Sequence, residues 1–185
     1  MLNQGLIDLP TIWRCGRFLF EGLKNCGVPL SIDTYKAETM RQALFAGVDC
    51  VNDIWALRQE GAVDGVLDSK ECSIVLMHMQ RDPLTMQFNP GYQDVIADVS
   101  LFLKEQATHL ICKGAHSSRI AIDPGFGFGK SLEHNLSMLA HFDVFSQLGY
   151  PVLAGISRKS MIGKVTRKDT NERVAPKCCS GHHGC

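Results

Sequence analysis

The sequence carries no excess charge of either sign and no long apolar run. Its 185 residues include 19 Lys and Arg against 19 Asp and Glu, so the formal net charge is zero. We therefore expect no nucleic-acid and no membrane partner, because a chain without a basic run is not drawn electrostatically to DNA or to an anionic membrane. Residues 74–77 form an apolar run far too short for a membrane span. Residues 1–20 are interrupted by Asp8, Arg14 and Arg17. No signal peptide is expected, and we predict a cytoplasmic protein.

Paired cysteines are also lacking over most of the chain. Five of the eight cysteines are scattered through apolar segments without a CxxC pair: Cys15, Cys26, Cys50, Cys72 and Cys112. We predict that these five are small buried residues in a reducing compartment. The other three lie with two histidines in residues 171–185, whose composition does not suit a βα unit. We expect an aberrant, unstructured tail there rather than a zinc site, because no second ligand cluster accompanies it.

The chain does show a regular alternation of short apolar runs with longer segments of helical period. The predicted strands are residues 28–32, 48–51, 74–77, 119–122 and 151–154. The predicted helices are residues 37–46, 61–68, 92–113 and 132–148. Strands that alternate with helices in this way indicate an α/β fold with a parallel sheet.

The spacing of the strands favours a barrel. Asp33 and Gly155, which follow the first and last predicted strands, are 122 positions apart over four steps. This gives about 30 residues per βα unit, and eight such units would need roughly 245 residues, near the size of a (β/α)₈ TIM barrel. We therefore predict an incomplete TIM-type barrel with about five of eight strands. A doubly wound sheet, which also binds ligands at strand ends, remains the alternative.

The most distinctive motif is the segment IDPGFGFGK, residues 122–130. Its glycines fit neither a phosphate-binding P-loop nor a dinucleotide fingerprint. The motif does offer Asp123 at a strand end, glycines that allow close approach to a planar ligand, and Phe126 and Phe128 for stacking. The alternative is a glycine-rich turn that Asp123 caps.

Other strand ends also carry polar residues. Asp33 and the pair Asn52 and Asp53 suit a guanidine-like ligand edge, because carboxylates accept parallel hydrogen bonds from it. Each could instead be an ordinary helix cap. Ser157 is a candidate N-cap, and with Arg158 and Lys159 it could form an anion site or merely a solvated basic turn.

His78 follows the third predicted strand. No residue near it in the sequence has metal-ligand spacing. We therefore expect it to make structural hydrogen bonds.

Five segments in this order carry a family resemblance: SIDTYK, VNDI, LMHMQ with a following TMQ, IDPGFGFGK and GISRKSMIG. Together they resemble the bacterial dihydropteroate synthase family, over about residues 28–163, and the chain looks truncated at both ends. The resemblance implies a (β/α)₈ barrel of folate biosynthesis. Such an enzyme joins p-aminobenzoate to 6-hydroxymethyl-7,8-dihydropterin pyrophosphate, releases pyrophosphate and is a sulfonamide target.

The resemblance also implies the site residues. Asp123 and Lys159 would be catalytic, and both would bind substrate. The remaining substrate-binding residues would be Asp33, Asn52, Ile54, Met77, Phe128, Gly155 and Ser157. Mg²⁺ would accompany the pyrophosphate, but the family's metal-phosphate asparagine belongs to an N-terminal part that this sequence does not show.

The resemblance divides the chain into three parts. Residues 1–27 would form the helix before the third barrel strand, residues 28–170 a partial pterin-binding barrel, and residues 171–185 the tail. Small-molecule substrates are the expected partners, and family members are commonly homodimers. Two alternatives stay open: an inactive fragment that keeps part of the pterin pocket, and a methyltransferase that binds methyltetrahydrofolate.

Overall fold

The computed structural model describes residues 22–23, 25–80, 91–157 and 159–167. Most of the predicted N-terminal helix and all of the predicted tail, residues 171–185, lie outside these ranges. Residues 22–23 are helical. Among the described residues, no helix is long and apolar enough to cross a membrane.

One parallel sheet organises the described part of the chain. Its strands are β1 (Ser31–Asp33), β2 (Cys50–Asp53), β3 (Ser73–Met77) and β4 (Ile120–Asp123), and they neighbour each other in that sequential order. A doubly wound sheet would reverse its order at a switch point, whereas the wall of a barrel runs in sequence. The sheet therefore follows the predicted barrel pattern.

The last predicted strand is reduced to one bridge. Val152 bridges Ile122, and the backbone bonds on either side join Ile122 N–H to Pro151 O at 2.9 Å and Leu153 N–H to Ile122 O at 2.8 Å. Pro151 has no N–H with which to extend this ladder. The bridge still sets the chain beside β4, and Gly155 follows it.

The first strand begins later than predicted. We expected it from residue 28, but β1 begins at Ser31. Pro29 cannot donate to a ladder, and Gly27 has a positive φ of 77°. The segment before Ser31 is therefore a turn and an extended approach to the sheet.

Six α-helices lie in the described ranges: α1 (Ala37–Phe45), α2 (Ala62–Leu67), α3 (Val95–Cys112), α4 (Leu132–Ala140), α5 (Phe142–Ser146) and α6 (Ser160–Thr166). Helix α3 begins three residues later than predicted, because the Asp94 side chain caps it by accepting from the N–H groups of Ile96 and Ala97. The single helix predicted over residues 132–148 is wrong. His141, with φ −117° and ψ 36°, separates α4 from α5.

Two buried clusters hold the helices to the sheet. One contains Met40 of α1 with Val51 and Ile74 from neighbouring strands. The other contains Phe126 with helix residues such as Met138 and Phe145. The ring of Phe126 stacks on that of Phe142, with centroids 6.2 Å apart. The second cluster thus anchors the segment that follows β4, where the candidate site lies.

Among the four described cysteines, the prediction of burial is confirmed for Cys72 alone and was wrong for Cys26 and Cys112. Cys72 is buried and Cys50 half-buried, whereas Cys26 and Cys112 are exposed. Cys26 lies in the turn before β1, and Cys112 is the last residue of α3, beyond its buried stripe. Cys15 lies outside the described residues.

Candidate active site

The carboxyl ends of the strands bring the predicted polar residues together. Asp33 pairs in register with Asn52, and Met77 pairs with Asp123. Asn52 Nδ2 lies 3.5 Å from Asp33 Oδ2, at the outer limit of a hydrogen bond. Asn52 Oδ1 is buried and has no hydrogen-bond partner among the described residues. A buried acceptor in this state is suited to a donor on a ligand.

Asp123 is the buried acid of the site, with only 4% of its surface exposed. Its Oδ1 accepts the N–H of Gly125 at 2.7 Å. Burial raises the pKa of Asp123, while this N–H and the charges of Lys159 and Lys130 oppose the rise. Asp123 therefore caps the glycine turn, as the alternative interpretation held. Its Oδ2 is on the side of Gly155, where an added Cβ would lie 3.3 Å from it.

Asp33 is a second acid, and it lies at the exposed rim. Burial raises its pKa, and the charge of Lys159 opposes the rise. The pKa of Lys159 is in turn lowered by burial and raised by Asp123 and Asp33. One lysine thus lies within electrostatic reach of two acids from different strands.

Lys159 reaches into the site from the start of α6. Its Nζ donates to the carbonyl oxygen of Phe126 and lies 4.1 Å from the centroid of the Phe128 ring. Gly127 makes room for this side chain, because an added Cβ there would lie 3.0 Å from Lys159 Cδ at a φ of 78°. Gly155 lies close to both Asp123 and Lys159. An added Cβ at Gly155 would be 3.3 Å from Asp123 Oδ2 and 3.9 Å from Lys159 Nζ.

The predicted apolar residues lie in three different segments. Met77 is buried at the end of β3, whereas Ile54 after β2 and Phe128 in the glycine loop are half-buried. Ser157 is exposed, and α6 begins only at Ser160, with Lys159 as its N-cap residue and no side-chain cap. The prediction that Ser157 caps this helix was wrong. The anion-site interpretation loses that support.

Asp53 lies at the end of a strand but serves the turn after it. It is fully buried, and its Oδ1 and Oδ2 accept the N–H groups of Trp55 and Leu57 at 2.7 and 2.8 Å. Burial raises the pKa of Asp53 to about 6, and these hydrogen bonds oppose the rise. Asp53 therefore caps a turn and not a helix, because the next helix, α2, begins only at Ala62.

Two residues that sequence reasoning did not assign to the site hold its glycine loop in place. The Nζ of Lys130 lies 2.9 Å from Nδ1 of His78 and donates to the carbonyl oxygens of Gly125 and Phe128 at 3.0 and 3.1 Å. The prediction that His78 makes structural hydrogen bonds is confirmed. For Lys130, the only signal in the sequence is that it follows a segment with three glycines. The backbone carbonyl groups of such a tight turn need a hydrogen-bond donor, and a lysine directly after the turn can supply one.

Further polar contacts fix the same loop. Asn135 Oδ1 accepts the N–H of Gly127 at 2.7 Å, and its Nδ2 donates to Ser131 O at 2.6 Å. The Tyr92 hydroxyl donates to the carbonyl oxygen of Gly129 at 2.9 Å. The loop is thus held by Asn135 of α4 and by Tyr92, which lies just before α3.

The site does not fit a metal ion with the residues described. Among them, no group of three or more His, Cys, Asp or Glu side chains is placed to hold one. The groups that the described residues offer to a ligand are two acids, a lysine and an amide.

This chain is similar in sequence to a known family of enzymes. The family model described as "Pterin binding enzyme" matches residues 17–184. The dihydropteroate synthase of Neisseria meningitidis serogroup C is 46% identical over 142 residues, which are 76% of this chain and 50% of that protein. The chain spans about half the length of the curated relatives it matches.

Solved structures show the same relationship. The crystal structure of Burkholderia cenocepacia dihydropteroate synthase superposes with a TM-score of 0.89 at 42% identity, covering 97% of this chain and 69% of that one. Its complex with 7,8-dihydropteroate gives a TM-score of 0.88 at 42% identity, covering 96% and 66%. The predicted barrel fold is therefore the fold that these solved relatives share with this chain. By its motifs, its fold and these matches, the chain belongs to the dihydropteroate synthase family of pterin-binding enzymes.

Proposed function

We propose that this chain carries a dihydropteroate synthase site. The site condenses 6-hydroxymethyl-7,8-dihydropterin pyrophosphate with p-aminobenzoate to 7,8-dihydropteroate and releases pyrophosphate. The observation that carries the proposal is the convergence of Asp123, Lys159 and the partnerless oxygen of Asn52 at one end of the sheet. The B. cenocepacia relative, whose structure holds 7,8-dihydropteroate, supports the choice of ligand.

The donor and acceptor pattern of these residues complements a pterin ring. Asp123 would accept from the 2-amino group and the ring N–H, since a carboxylate accepts two parallel hydrogen bonds. Asn52 would add an acceptor through its free Oδ1. Lys159 would donate to the ring carbonyl and the adjacent nitrogen. Phe128 and Met77 would contact the faces of the ring.

The proposed reaction is a substitution at the pterin methylene carbon. The carbon–oxygen bond to pyrophosphate breaks, and its electron pair leaves with the pyrophosphate. The positive charge left on the pterin is stabilised by the carboxylates of Asp123 and Asp33, which the fold has already placed. The amine nitrogen of p-aminobenzoate then forms the new carbon–nitrogen bond and loses one proton. No covalent bond to the protein is needed.

Other expectations stay predictions within this proposal. Mg²⁺ would accompany the pyrophosphate, although the described residues offer no ligand cluster for it. A cytoplasmic location and a homodimer are likewise predicted. Ser157 and Lys159 would border the p-aminobenzoate position.

The test is formation of 7,8-dihydropteroate by the purified chain from pterin pyrophosphate and p-aminobenzoate, with Mg²⁺ present. We expect product only when p-aminobenzoate is added, and we expect loss of product in Asp123→Asn and Lys159→Met. Lys104→Met is the matched control for the lysine variant, because Lys104 is exposed on α3. Product formation independent of p-aminobenzoate, or unaffected by both site variants, would contradict the proposal.

A second candidate is pterin binding without turnover. The observation that favours it is that the matched region covers about half the length of the curated relatives. Titration with 7,8-dihydropteroate separates the two candidates: binding without turnover supports the second, and turnover supports the first. The methyltransferase alternative predicts binding of methyltetrahydrofolate and no response to p-aminobenzoate. None of the relatives described above is such an enzyme.

A further inference from the structure

Among the described residues, Lys130 carries the most enclosed amino group that the proposed mechanism does not use. Only 7% of the residue is exposed. Four acceptors surround Nζ: His78 Nδ1 at 2.9 Å and the carbonyl oxygens of Gly125, Phe128 and His78 at 3.0, 3.1 and 3.3 Å. Burial lowers the pKa of Lys130 to about 7, and the charge of Asp123 opposes this change. In its ammonium form Lys130 has three N–H groups and no lone pair, so His78 Nδ1 then accepts and the ring proton lies on Nε2.

The surroundings of His78 agree with a neutral ring. The residue is 5% exposed, and its ring meets that of Phe102 edge-on with centroids 4.9 Å apart. Burial lowers the pKa of His78 to about 2, with the charges of Lys130 and Arg58 acting in the same direction. The ring therefore stays neutral throughout the physiological range, and its Nδ1 is an acceptor whenever Lys130 is an ammonium.

Two of the groups that Lys130 holds are linked directly to the site. Gly125 donates its N–H to Asp123 Oδ1 at 2.7 Å, and its carbonyl oxygen accepts from Lys130. Phe128 presents its ring to Lys159 Nζ at 4.1 Å, and its carbonyl oxygen also accepts from Lys130. Lys130 thus fixes the backbone of two residues. One is Gly125, which orients Asp123, and the other is Phe128, whose ring faces Lys159.

The loop fits tightly against His78, the residue that directly follows β3. The His78 N–H donates to Asp123 O at 2.8 Å, which joins the ends of β3 and β4. An added Cβ at Gly125 would lie 2.0 Å from His78 O. There is therefore no free space between Gly125 and His78 into which the loop could move.

We infer that Lys130 is a positioning residue for the pterin site, and that its bonds to His78, Gly125 and Phe128 hold the Asp123 carboxylate and the Phe128 ring where they meet the ligand. This inference rests on the proposed function. Lys130 itself does not touch the substrate. Its removal would take one donor from each of three carbonyl oxygens, two of them buried, and free the loop to shift.

The test is titration of the full chain with 7,8-dihydropteroate, for wild type, Lys130→Met and the control Lys104→Met. Unfolding by urea, followed by circular dichroism, gives the folded fraction of each variant. We expect Lys130→Met to bind at least tenfold more weakly, even where more than about nine tenths of it is folded, and Lys104→Met to bind like wild type. An unchanged Kd in folded Lys130→Met would mean that the lysine only stabilises the fold, and would overturn the inference.

A double-mutant cycle adds a readout that a purely structural role would not move. If Lys130 acts partly through Phe128, Lys130→Met should cost at least threefold less in a Phe128→Leu background than in wild type. Equal costs in the two backgrounds would contradict positioning through Phe128. If the wild-type chain does not bind 7,8-dihydropteroate, both the proposed function and this inference are overturned. If the wild-type chain binds normally but the effects of Lys130→Met and Phe128→Leu on the binding free energy simply add, only the inference is overturned.

A pair of His78 variants covers the case in which Lys130→Met does not fold. His78→Asn keeps an acceptor oxygen two bonds from Cβ, where Nδ1 lies, whereas His78→Phe keeps an aromatic ring but no acceptor. We expect His78→Phe to weaken binding several-fold more than His78→Asn. Equal dissociation constants for the two variants would contradict the inference.

Discussion

The ammonium of Lys159 lies 4.1 Å from the centroid of the Phe128 ring, and the same ammonium is bonded to the carbonyl oxygen of Phe126. The glycine loop thus supplies both a π-face and an acceptor to the lysine of the site. Because Lys159 also lies within electrostatic reach of Asp123 and Asp33, its position couples the loop to both acids. Changes in the loop should therefore alter ligand binding through Lys159.

Replacing Phe128 with leucine removes the π-face but keeps an apolar side chain. A cation–π contact at a partly exposed position contributes about 1 kcal/mol, which corresponds to about fivefold in affinity. We expect Phe128→Leu to weaken binding of 7,8-dihydropteroate by up to about this factor, measured by titration, because Lys159 loses the contact that orients it toward the ligand. Phe45→Leu is the matched control, since Phe45 is 96% exposed at the last residue of α1. Equal effects of the two changes would contradict a role for the ring.

Gly125 should tolerate no side chain. Its φ is 72°, and an added Cβ would lie 2.0 Å from the carbonyl oxygen of His78. We expect Gly125→Ala to lower the free energy of unfolding by more than about 3 kcal/mol, because the backbone of His78, just after β3, would have to move. The measurement is urea unfolding.

Gly149 offers a control for the backbone conformation alone. Its φ is 85°, and no atom lies within 4 Å of an added Cβ. Gly149→Ala should cost only about 1–2 kcal/mol, the strain of a positive φ for alanine. Similar costs at the two positions would show that the approach of Gly125 to His78 is looser than the structure indicates.

The sequence predicted which residues end the strands more accurately than how the loops are held. Alternating apolar runs place Asp33, Asn52 and Asp123 at strand ends, because strand positions follow from local periodicity. The bond between Lys130 and His78 joins residues 52 positions apart, so no local pattern could reveal it. The same holds for the break at His141, where the apolar period continues but the helix does not.

His78 should make the protein less stable in acid. Its pKa is about 2 in the folded chain against an ordinary 6.5, so between these values the unfolded state binds a proton that the folded state does not. Stability linked to His78 is therefore complete above pH 6.5 and falls as the pH decreases below it, by at most about 1.4 kcal/mol per pH unit. Urea unfolding between pH 7 and 4 should show this slope, and His78→Asn should remove it. An equal slope in both proteins would contradict a neutral, buried His78.

Asp53 should act in the opposite direction over part of the same range. Its pKa is about 6 in the folded chain against an ordinary 3.8, so between these values the folded state holds a proton that the unfolded state has lost. The contribution of Asp53 therefore grows as the pH falls from 6 to 3.8, by roughly 3 kcal/mol in total. Asp53→Asn, which cannot titrate, should lose this contribution. Wild type should then be stabilised relative to the variant on acidification, as measured by urea unfolding at each pH. A difference between the two proteins that stays constant from pH 7 to 4 would mean that Asp53 is ionised throughout and that its two backbone N–H bonds outweigh its burial.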